Sequence, residues 1–237
     1  VVDSGGSPAQ GKQLKKIIQK ITSVPICYVI NTHVHPDHIF GNSAFRDITD
    51  IQFIGHKKLA RAMSERGPFY LARSEEQIAI KLTADDIIIP TMNVKNTLEL
   101  DLGNRIITLT AHPTAHTDND LTVFDQKTNS LWLADLLFIG HLPVLDGSLK
   151  GWLQVINKLE KRRFDVVIPG HGPIVRDWPE SLQPQKHYLQ YLQKVVRSKI
   201  KNGVYLEDVL ITVNYPAKDQ WQLFNDFHKK NLSSAYA

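Results

Sequence analysis

Along the first thirty positions, apolar residues occur either in continuous runs or at helical spacing, and this difference predicts the first elements of structure. Residues 27–30 are continuously apolar, as is typical of a strand buried on both faces. Val1-Val2, followed by Asp3 and the Gly5-Gly6 turn, is typical of the end of another buried strand. Between them, helical spacing among lysines and glutamines predicts an amphipathic helix with an apolar face at Leu14, Ile17, Ile18 and Ile21. This order predicts a parallel strand pair joined by a right-handed crossover.

Further along, short apolar runs between turn residues predict strands, and longer amphipathic runs predict helices. We expect hairpins around the Gly103-Asn104 turn and between residues 121–124 and 131–134, and a buried strand over 166–168 that Pro169-Gly170 ends. The predicted helices cover about 56–82, then 149–159 after an N-cap at Ser148, then 184 to a C-cap at Gly203, and a last segment with Trp221, Phe224 and Phe227.

The strands fall into two groups with helices at the outer positions of each group. This order predicts an α/β fold in which two mixed β-sheets pack together with helices outside, a four-layer αββα sandwich. No linker separates the groups, so residues 1–237 are predicted to form a single domain. Because the sequence opens at the end of a strand, we expect the first strands of the fold, and any signal peptide, to lie upstream of Val1.

Composition narrows the chemistry. The chain has ten histidines, a single cysteine and a formal net charge of +4. One cysteine excludes an internal disulfide and a thiolate zinc cluster, so a metal would need histidine and carboxylate ligands. Cys27 itself is interpreted as a small core residue of the buried strand. The basic residues are scattered and no apolar run approaches the roughly 20 residues that span a bilayer, so we expect neither nucleic-acid binding nor a membrane span.

A dense group of candidate metal ligands directly follows the buried strand of residues 27–30. It lies in the segment His33-Val34-His35-Pro36-Asp37-His38. In an extended segment, positions two apart point the same way, so His33 and His35 can face one metal ion. A turn at Pro36 can then direct Asp37 and His38 toward a second ion. Imidazole and carboxylate ligands suit zinc, and they also suit iron or manganese.

Three further candidates, His116, Asp135 and His171, each stand at the end of another predicted strand. Functional residues of α/β folds collect outside the carboxyl ends of strands. His171 also lies between Gly170 and Gly172, and flanking glycines let the backbone pass close to a metal ion. Together with the first motif, these residues complete two coordination spheres.

With these motifs the sequence resembles the metallo-β-lactamase superfamily, and the matching segments extend from residue 3 to residue 172. The C-terminal part, from about 178 to 237, carries no landmark and is expected to be a helical extension. The matching landmarks occur in the family's order at Asp3-Ser4-Gly5-Gly6, His33-Val34-His35-Pro36-Asp37-His38, His116-Thr117, Asp135 and Pro169-Gly170-His171-Gly172.

The resemblance implies the αββα sandwich and a glyoxalase II-like set of seven metal ligands. It implies two zinc ions per chain, with iron or manganese as alternatives. The implied ligands are His33, His35 and His116 for one ion, Asp37, His38 and His171 for the other, and Asp135 bridging the two.

The hypothesis that follows is a hydroxide, shared by two zinc ions, that attacks an electrophilic carbonyl or phosphoryl centre. Zinc lowers the pKa of bound water to about 7 and polarises the substrate oxygen. Asp37 is the candidate catalytic residue, since it can orient the nucleophile as well as bind metal. Ligating imidazoles need their second nitrogen fixed, and Asp3 is a candidate for that role because its strand is expected beside that of His33.

Two features bear on the branch of the superfamily. Asp135 stands where β-lactamases with this type of loop commonly carry cysteine, which argues against strong activity of that type. Residues 141–152 resemble those of a bacterial subgroup of zinc metallohydrolases found with quinoprotein dehydrogenase and sulfur-oxidation systems, and this suggests a periplasmic location. His141 and His112 are candidate substrate-lining residues. The remaining residues are interpreted as surface, packing or loop-bracing groups: His56, His187, His228 and Asp146.

The sequence therefore favours a dizinc hydrolase of a small ester, thioester, lactam or related substrate. Two alternatives stay open: a mononuclear iron enzyme that oxidises persulfides, and a non-catalytic metal-binding accessory protein of a redox system. Metal content separates the first two, because two zinc ions favour the hydrolase and one iron favours the dioxygenase. The expected partner is a small-molecule substrate, and the sequence does not indicate an oligomeric state.

Overall fold

The computed structural model describes the backbone of residues 1–237 and the side chains of all of them except Gln77 and Ile78. The strands are β1 (Tyr28–Ile30), β2 (Gln52–His56), β3 (Met92–Val94), β4 (Thr97–Asp101), β5 (Ile106–Ala111), β6 (Leu121–Asp125), β7 (Ser130–Phe138) and β8 (Val166–His171). The α-helices are α1 (Pro8–Ile21), α2 (Pro36–Ile39), α3 (Leu59–Ile78), α4 (Leu149–Leu159), α5 (Gln183–Lys201), α6 (Leu206–Thr212) and α7 (Phe224–Tyr236).

The chain divides into two compact units, residues 1–98 and residues 99–237, and the first contains a parallel sheet. Its strands lie in the order β1-β2-β3, and both neighbouring pairs are parallel. Val2 forms a parallel bridge with Ile30, and helix α1 connects the two segments. The predicted helix and the parallel pairing are therefore confirmed, but Val2 forms a single bridge instead of a strand, and Ile17 and Ile21 of the predicted apolar face are exposed.

The second unit contains a five-stranded mixed sheet with the order β4-β5-β6-β7-β8. β5, β6 and β7 are antiparallel neighbours, whereas β7 and β8 are parallel. Helix α4 makes the crossover between these parallel strands, and Ser148 caps it by accepting a hydrogen bond from the backbone of Gly151 at 3.1 Å. The predicted hairpin between β6 and β7 and the Ser148 cap are confirmed; β8 forms as a strand, but its residues alternate between partly buried and buried positions as far as Pro169.

Each unit buries its own apolar side chains, which is why each is compact. In the first unit, Val34, Leu59 and Met63 belong to one cluster, and Val29 and Phe45 to another. In the second unit, a larger cluster joins the sheet to the helices that follow it, with Trp152 of α4 and Tyr188 of α5 fully buried. Burying such side chains contributes about 25 cal/mol per Å² of apolar surface, and this is the main stabilising term.

Several local predictions were wrong, and each error has a simple cause. Cys27 is exposed rather than buried, because β1 begins one residue later, at Tyr28. His56 is the last residue of β2 and is 3% exposed, so it does not lie on a helix. β8 continues through Pro169-Gly170 to His171, where pairing with β7 sustains it. Trp221 precedes α7 instead of lying within it.

Among the residues described, no helix is both long and apolar enough to cross a membrane.

Buried polar side chains connect the C-terminal helices to the rest of the second unit. Gln185 of α5 accepts a hydrogen bond from the backbone of Phe138 at 2.7 Å and donates one to the carbonyl of Leu136 at 2.8 Å. The Tyr188 hydroxyl lies 3.0 Å from Nδ1 of His228, whose ring stacks on Phe224 with centroids 4.4 Å apart. Burial lowers the pKa of His228 below its ordinary value of 6.5, and a backbone contact with Val213 offsets part of this effect.

This lowered pKa predicts that acid weakens the second unit through His228. The unfolded chain takes up a proton near pH 6.5 that the folded chain excludes, so the free energy of unfolding falls as the pH drops below that value. One such group contributes at most about 1.4 kcal/mol per pH unit. Urea titrations between pH 5 and pH 8 are expected to show a shallower decline for His228→Gln than for wild type. His187→Gln, at an exposed position of α5, is the matched control, and equal slopes in all three proteins would contradict the prediction.

Candidate metal centre

The first cluster of candidate ligands lies in the loop after β1 and in the short helix α2. His33 is buried, and His35 is the N-cap of α2, with Pro36 as the first helical residue. This turn places Asp37 and His38 on the helix, as the sequence predicts for a change of chain direction at Pro36. Nε2 of His33 and Nδ1 of His35 are 3.0 Å apart, and Nε2 of His38 is 3.3 Å from Oδ2 of Asp37.

The carboxylate of Asp3 organises this cluster. Its Oδ1 accepts a hydrogen bond from the backbone of Thr32 at 2.8 Å, and its Oδ2 lies 2.8 Å from the Thr32 hydroxyl and 2.8 Å from Nδ1 of His38. Because an ionised carboxylate only accepts hydrogen bonds, His38 donates through Nδ1. The Thr32 hydroxyl gives its proton to Asp3, so it accepts from Nδ1 of His33, 3.1 Å away. Both imidazoles therefore present Nε2 as the nitrogen that can bind a metal ion.

A second layer of buried polar contacts holds the loop itself. Ser4 donates from its hydroxyl to Oδ1 of Asn42 at 2.7 Å, and its backbone N–H donates to the carbonyl of His38 at 3.0 Å. Asn31 and Asn42 exchange hydrogen bonds between their side-chain amides, at 3.1 and 2.7 Å. Gly41 passes so close to Ser4 that a Cβ atom there would lie 2.0 Å from the Ser4 carbonyl oxygen, which explains glycine at this position.

The second cluster, in the second unit, centres on Asp135. Nε2 of His116 and Nε2 of His171 each lie 3.4 Å from Oδ2 of Asp135. His116 and Asp135 are buried, whereas the side chain of His171 is about one third exposed. Three side chains that are 19 and 36 residues apart along the chain thus meet at one carboxylate oxygen, because β7 and β8 are neighbours and the His116 loop follows β5.

Asp135 does not close its strand, as the sequence predicted, but lies inside β7. Ala134, just before it, has a positive φ of 47°, and the pairing with β8 shifts register at this point. The irregularity changes the direction of the strand locally. On the neighbouring strand, a Cβ atom on Gly170 would lie 1.9 Å from Oδ1 of Asp135. Glycine is therefore required at position 170 because the side chain of Asp135 lies against it, while the predicted close approach of the backbone to a metal ion stays a prediction.

A loop after β7 fixes the orientation of His116. Nδ1 of His116 is 2.7 Å from the carbonyl oxygen of Val144, and this acceptor leaves Nε2 facing Asp135. On either side of Val144, Asn231 of α7 accepts from the backbone of Leu145 at 2.8 Å and donates to the carbonyl of Pro143 at 2.7 Å. A buried amide of the last helix thus braces the loop that contacts His116.

The other residues that the sequence singled out lie at the edges of the second cluster. His141 stacks on His171 with ring centroids 5.1 Å apart, and Phe138 stacks on His171 at 5.0 Å. His112 follows β5, and its Nε2 lies 2.9 Å from the hydroxyl of Thr122. Asp146 donates its backbone N–H to the carbonyl of His116 at 3.1 Å, as expected for a loop-bracing position.

Sequence reasoning missed three supporting groups: Thr32, Asp120 and Asn231. Burial raises the pKa of Asp120 to about 7, although hydrogen bonds from the backbone and hydroxyl of Thr117 act in the opposite direction. Thr117 and Asp120 are three residues apart, which is a recognisable turn signal. Thr32 lies inside the histidine motif. Asn231 has no comparable signal, because it acts across 86 residues of sequence from Leu145.

The spacing of the candidate ligand atoms within each unit tests whether they suit a metal ion. Ligands at about 2.05 Å from a tetrahedral zinc ion lie about 3.3 Å from one another. The distances within the clusters are 3.0 Å for His33 and His35, 3.3 Å for Asp37 and His38, and 3.4 Å for each contact of Asp135. Neutral imidazoles and carboxylates at this spacing fit zinc and the other transition metals that accept nitrogen and oxygen ligands.

Comparison with known proteins now identifies the class. The family model of the metallo-beta-lactamase superfamily matches residues 1–171, and the chain belongs to this superfamily. The fold class predicted from the sequence is thereby confirmed. Among solved structures, a metallo-beta-lactamase from Pontibacter korlensis has a TM-score of 0.64 and 20% identity, over 80% of this chain and 81% of that one.

Alkylsulfatases are also similar to this chain. A linear primary-alkylsulfatase from Pseudomonas sp. (strain ATCC 19151) is 22% identical over 207 residues, which are 73% of this chain and 39% of that protein. The solved structure of a stereoselective inverting sec-alkylsulfatase from Pseudomonas sp. has a TM-score of 0.75 and 16% identity, over 99% of this chain and 44% of that one. The chain spans less than half the length of these alkylsulfatases.

Asp3 provides a direct test of the first cluster. In Asp3→Asn, the amide can still accept from the backbone of Thr32, but its NH₂ group would face the N–H of His38. We expect zinc affinity, measured by competition with a chromophoric chelator, to fall about 10- to 100-fold. Asp47→Asn, which changes an exposed partner of Lys15, is the control and is expected to keep wild-type affinity. Unchanged affinity in Asp3→Asn would remove Asp3 from this role.

Proposed function

We propose that the chain is a metal-dependent hydrolase in which both clusters contribute to one dinuclear zinc centre. In this proposal, the ligand set follows the superfamily resemblance: His33, His35 and His116 for one ion, Asp37, His38 and His171 for the other, and Asp135 as the bridge. The observation that supports it most is the spacing within each cluster, where four pairs of ligand atoms lie 3.0–3.4 Å apart.

The charge of the candidate ligands suits two divalent metal ions. Asp37 and Asp135 supply two negative charges, and the imidazoles bind in their neutral form. Oxygen acceptors at Nδ1 of His33, His38 and His116 favour the tautomer that leaves Nε2 available. The two carboxylates also favour metal ions that accept oxygen ligands over copper(I), which prefers thiolate and thioether ligands.

When bound, such ions lower the pKa of coordinated water to about 7 and polarise the substrate oxygen. The chain's own residues would orient the water molecule and hold the ligands in place. The side chain of Asp37 is half exposed, so it can reach a water molecule or substrate beside the cluster and accept a hydrogen bond that orients the attack. Asp3 and Val144 keep the imidazoles in place, which avoids reorganisation during the reaction.

The substrate class we favour is a small ester, with sulfate esters placed first. Similarity to alkylsulfatases extends over nearly the whole chain in one comparison, whereas the metallo-beta-lactamase comparison covers 80% of it. Asp135 offers a hard oxygen ligand where cysteine-type lactamases use sulfur. The activity is assigned to this chain as a proposal, because the similar alkylsulfatases are more than twice as long.

Loss of a ligand is expected to remove metal and activity together. For His35→Ala and Asp37→Ala, we expect less than two zinc ions per chain by elemental analysis. Loss of the hydrogen-bonding partner of a ligand typically lowers activity about 10- to 100-fold. Turnover is expected to fall further than this when the ligand itself is removed. The substrates are hexyl sulfate, 4-nitrophenyl acetate, a thioester and a chromogenic β-lactam, assayed with one zinc-loaded preparation.

His187→Ala, at an exposed position on α5, is the control and is expected to retain both metal and turnover. Full metal content in His35→Ala and Asp37→Ala would contradict the ligand assignment. One iron per wild-type chain, with oxidation of persulfides and without hydrolysis, would instead support the dioxygenase alternative.

A further inference from the structure

A cavity of about 360 Å³ lies within the first unit, directly beside Asp37. Its size is at the small end of the roughly 300–1,000 Å³ that ligand pockets occupy. Gly6 and Pro36 form the wall near Asp37, and Phe40, Phe69 and Tyr70 form much of the rest. The cavity therefore has one polar end, at a candidate metal ligand, and an aromatic end formed by α3 and the residue after α2.

The aromatic end is built from three rings, with Tyr70 in contact with both of the others. Phe40 is buried and packs edge-on against Tyr70, with centroids 6.5 Å apart at 90°. Tyr70 in turn contacts Phe69 at 5.9 Å and 62°. Such edge-to-face arrangements hold aromatic rings in defined positions. Phe69 thus packs against Tyr70, which Phe40 holds in place from another side.

Phe69 itself is 57% exposed, although it is a large apolar side chain next to two packed rings. The guanidinium of Arg73 lies 5.3 Å from its ring centroid and covers part of one face. Isolated exposed apolar residues need no explanation, but this ring lines a cavity that ends at Asp37. Covering the ring with an apolar group would remove apolar surface from water and stabilise that group in the cavity.

The charge of the lining points to an uncharged occupant. Of the residues that line the cavity, Asp37 is the one with a carboxylate, and the rest of the lining carries no charged side chain that could pair with an ion. A negatively charged head group would therefore be held at the metal end and not inside the cavity. An alkyl chain or a single aromatic ring satisfies both the size and the polarity of the site.

We propose that this cavity binds the apolar substituent of the substrate, a short alkyl chain or one aromatic ring, while the scissile ester group lies at Asp37. This inference rests on the proposed hydrolase function and specifies its substrate class. Phe69 is the specificity-determining residue, since it forms the exposed side of the aromatic end. The preferred substrates are esters whose apolar group begins next to the bond that is cleaved.

The kinetic test compares ethyl, butyl and hexyl sulfate, and 4-nitrophenyl acetate, butyrate and hexanoate. In wild type, kcat/KM is expected to rise about 3- to 4-fold for each methylene group that enters the cavity. Phe69→Ala is expected to lose most of this gain. Tyr205→Ala, which removes an exposed ring in the second unit, is the matched control and keeps the wild-type dependence on chain length. An unchanged dependence in Phe69→Ala overturns the proposal.

A binding measurement separates this inference from the proposed function. 1-Hexanol is titrated into metal-free protein, and the ring resonances of Phe69 and Tyr70 are followed by NMR. We expect saturable shifts in wild type and at least about fivefold weaker binding to Phe69→Ala. Saturable binding without hydrolysis of any ester would support the cavity and contradict the hydrolase. Hydrolysis without hexanol binding and without a chain-length gain would support the hydrolase and overturn the role proposed for the cavity.

Discussion

Burying an imidazole at the end of a strand is unfavourable unless both ring nitrogens have polar partners, and much of this structure follows from that constraint. Nδ1 of His33, His38 and His116 each lies within 3.1 Å of an oxygen acceptor. Those acceptors belong to Thr32, Asp3 and Val144, and each has its own support. The same contacts that satisfy one nitrogen direct the other toward the neighbouring candidate ligands, so a stable fold and the proposed metal site require the same geometry.

This constraint extends well beyond the ligands themselves. Asp3 has a positive φ of 52°, a strained conformation that its three hydrogen bonds offset. In the second unit, Val144 is fixed because Asn231 binds the peptide groups before and after it. The family model ends at residue 171, yet a helix near the end of the chain contributes to the surroundings of His116.

The candidate ligands could be picked out from the sequence because most of the information is local, and their roles as metal ligands stay predictions. Four candidate ligands lie within six residues after a buried strand, and Gly170 leaves the space that the side chain of Asp135 occupies. The fold class followed from the order of strands and helices. The single-domain organisation, the substrate-lining roles of His112 and His141, and the periplasmic location stay predictions.

What sequence reasoning could not supply depends on exact strand limits or on distant contacts. A difference of one residue in the start of β1 leaves Cys27 exposed, and a strand end at His56 looks like a helix start in sequence. Asp135 lies within β7 because tertiary pairing continues beyond the local irregularity at Ala134. Asn231 and the cavity beside Phe69 arise from packing between segments that no short motif connects.

Anomalous X-ray scattering is the most direct test of the proposal that the candidate ligands of the two units hold one dinuclear metal centre. Crystals of protein purified without chelators would be measured on both sides of the zinc and iron absorption edges. We expect two zinc peaks within about 2.0–2.2 Å of imidazole nitrogens or carboxylate oxygens of these residues, with Asp135 contacting both. The absence of any peak at these side chains, or peaks bound only by surface residues elsewhere, would contradict it.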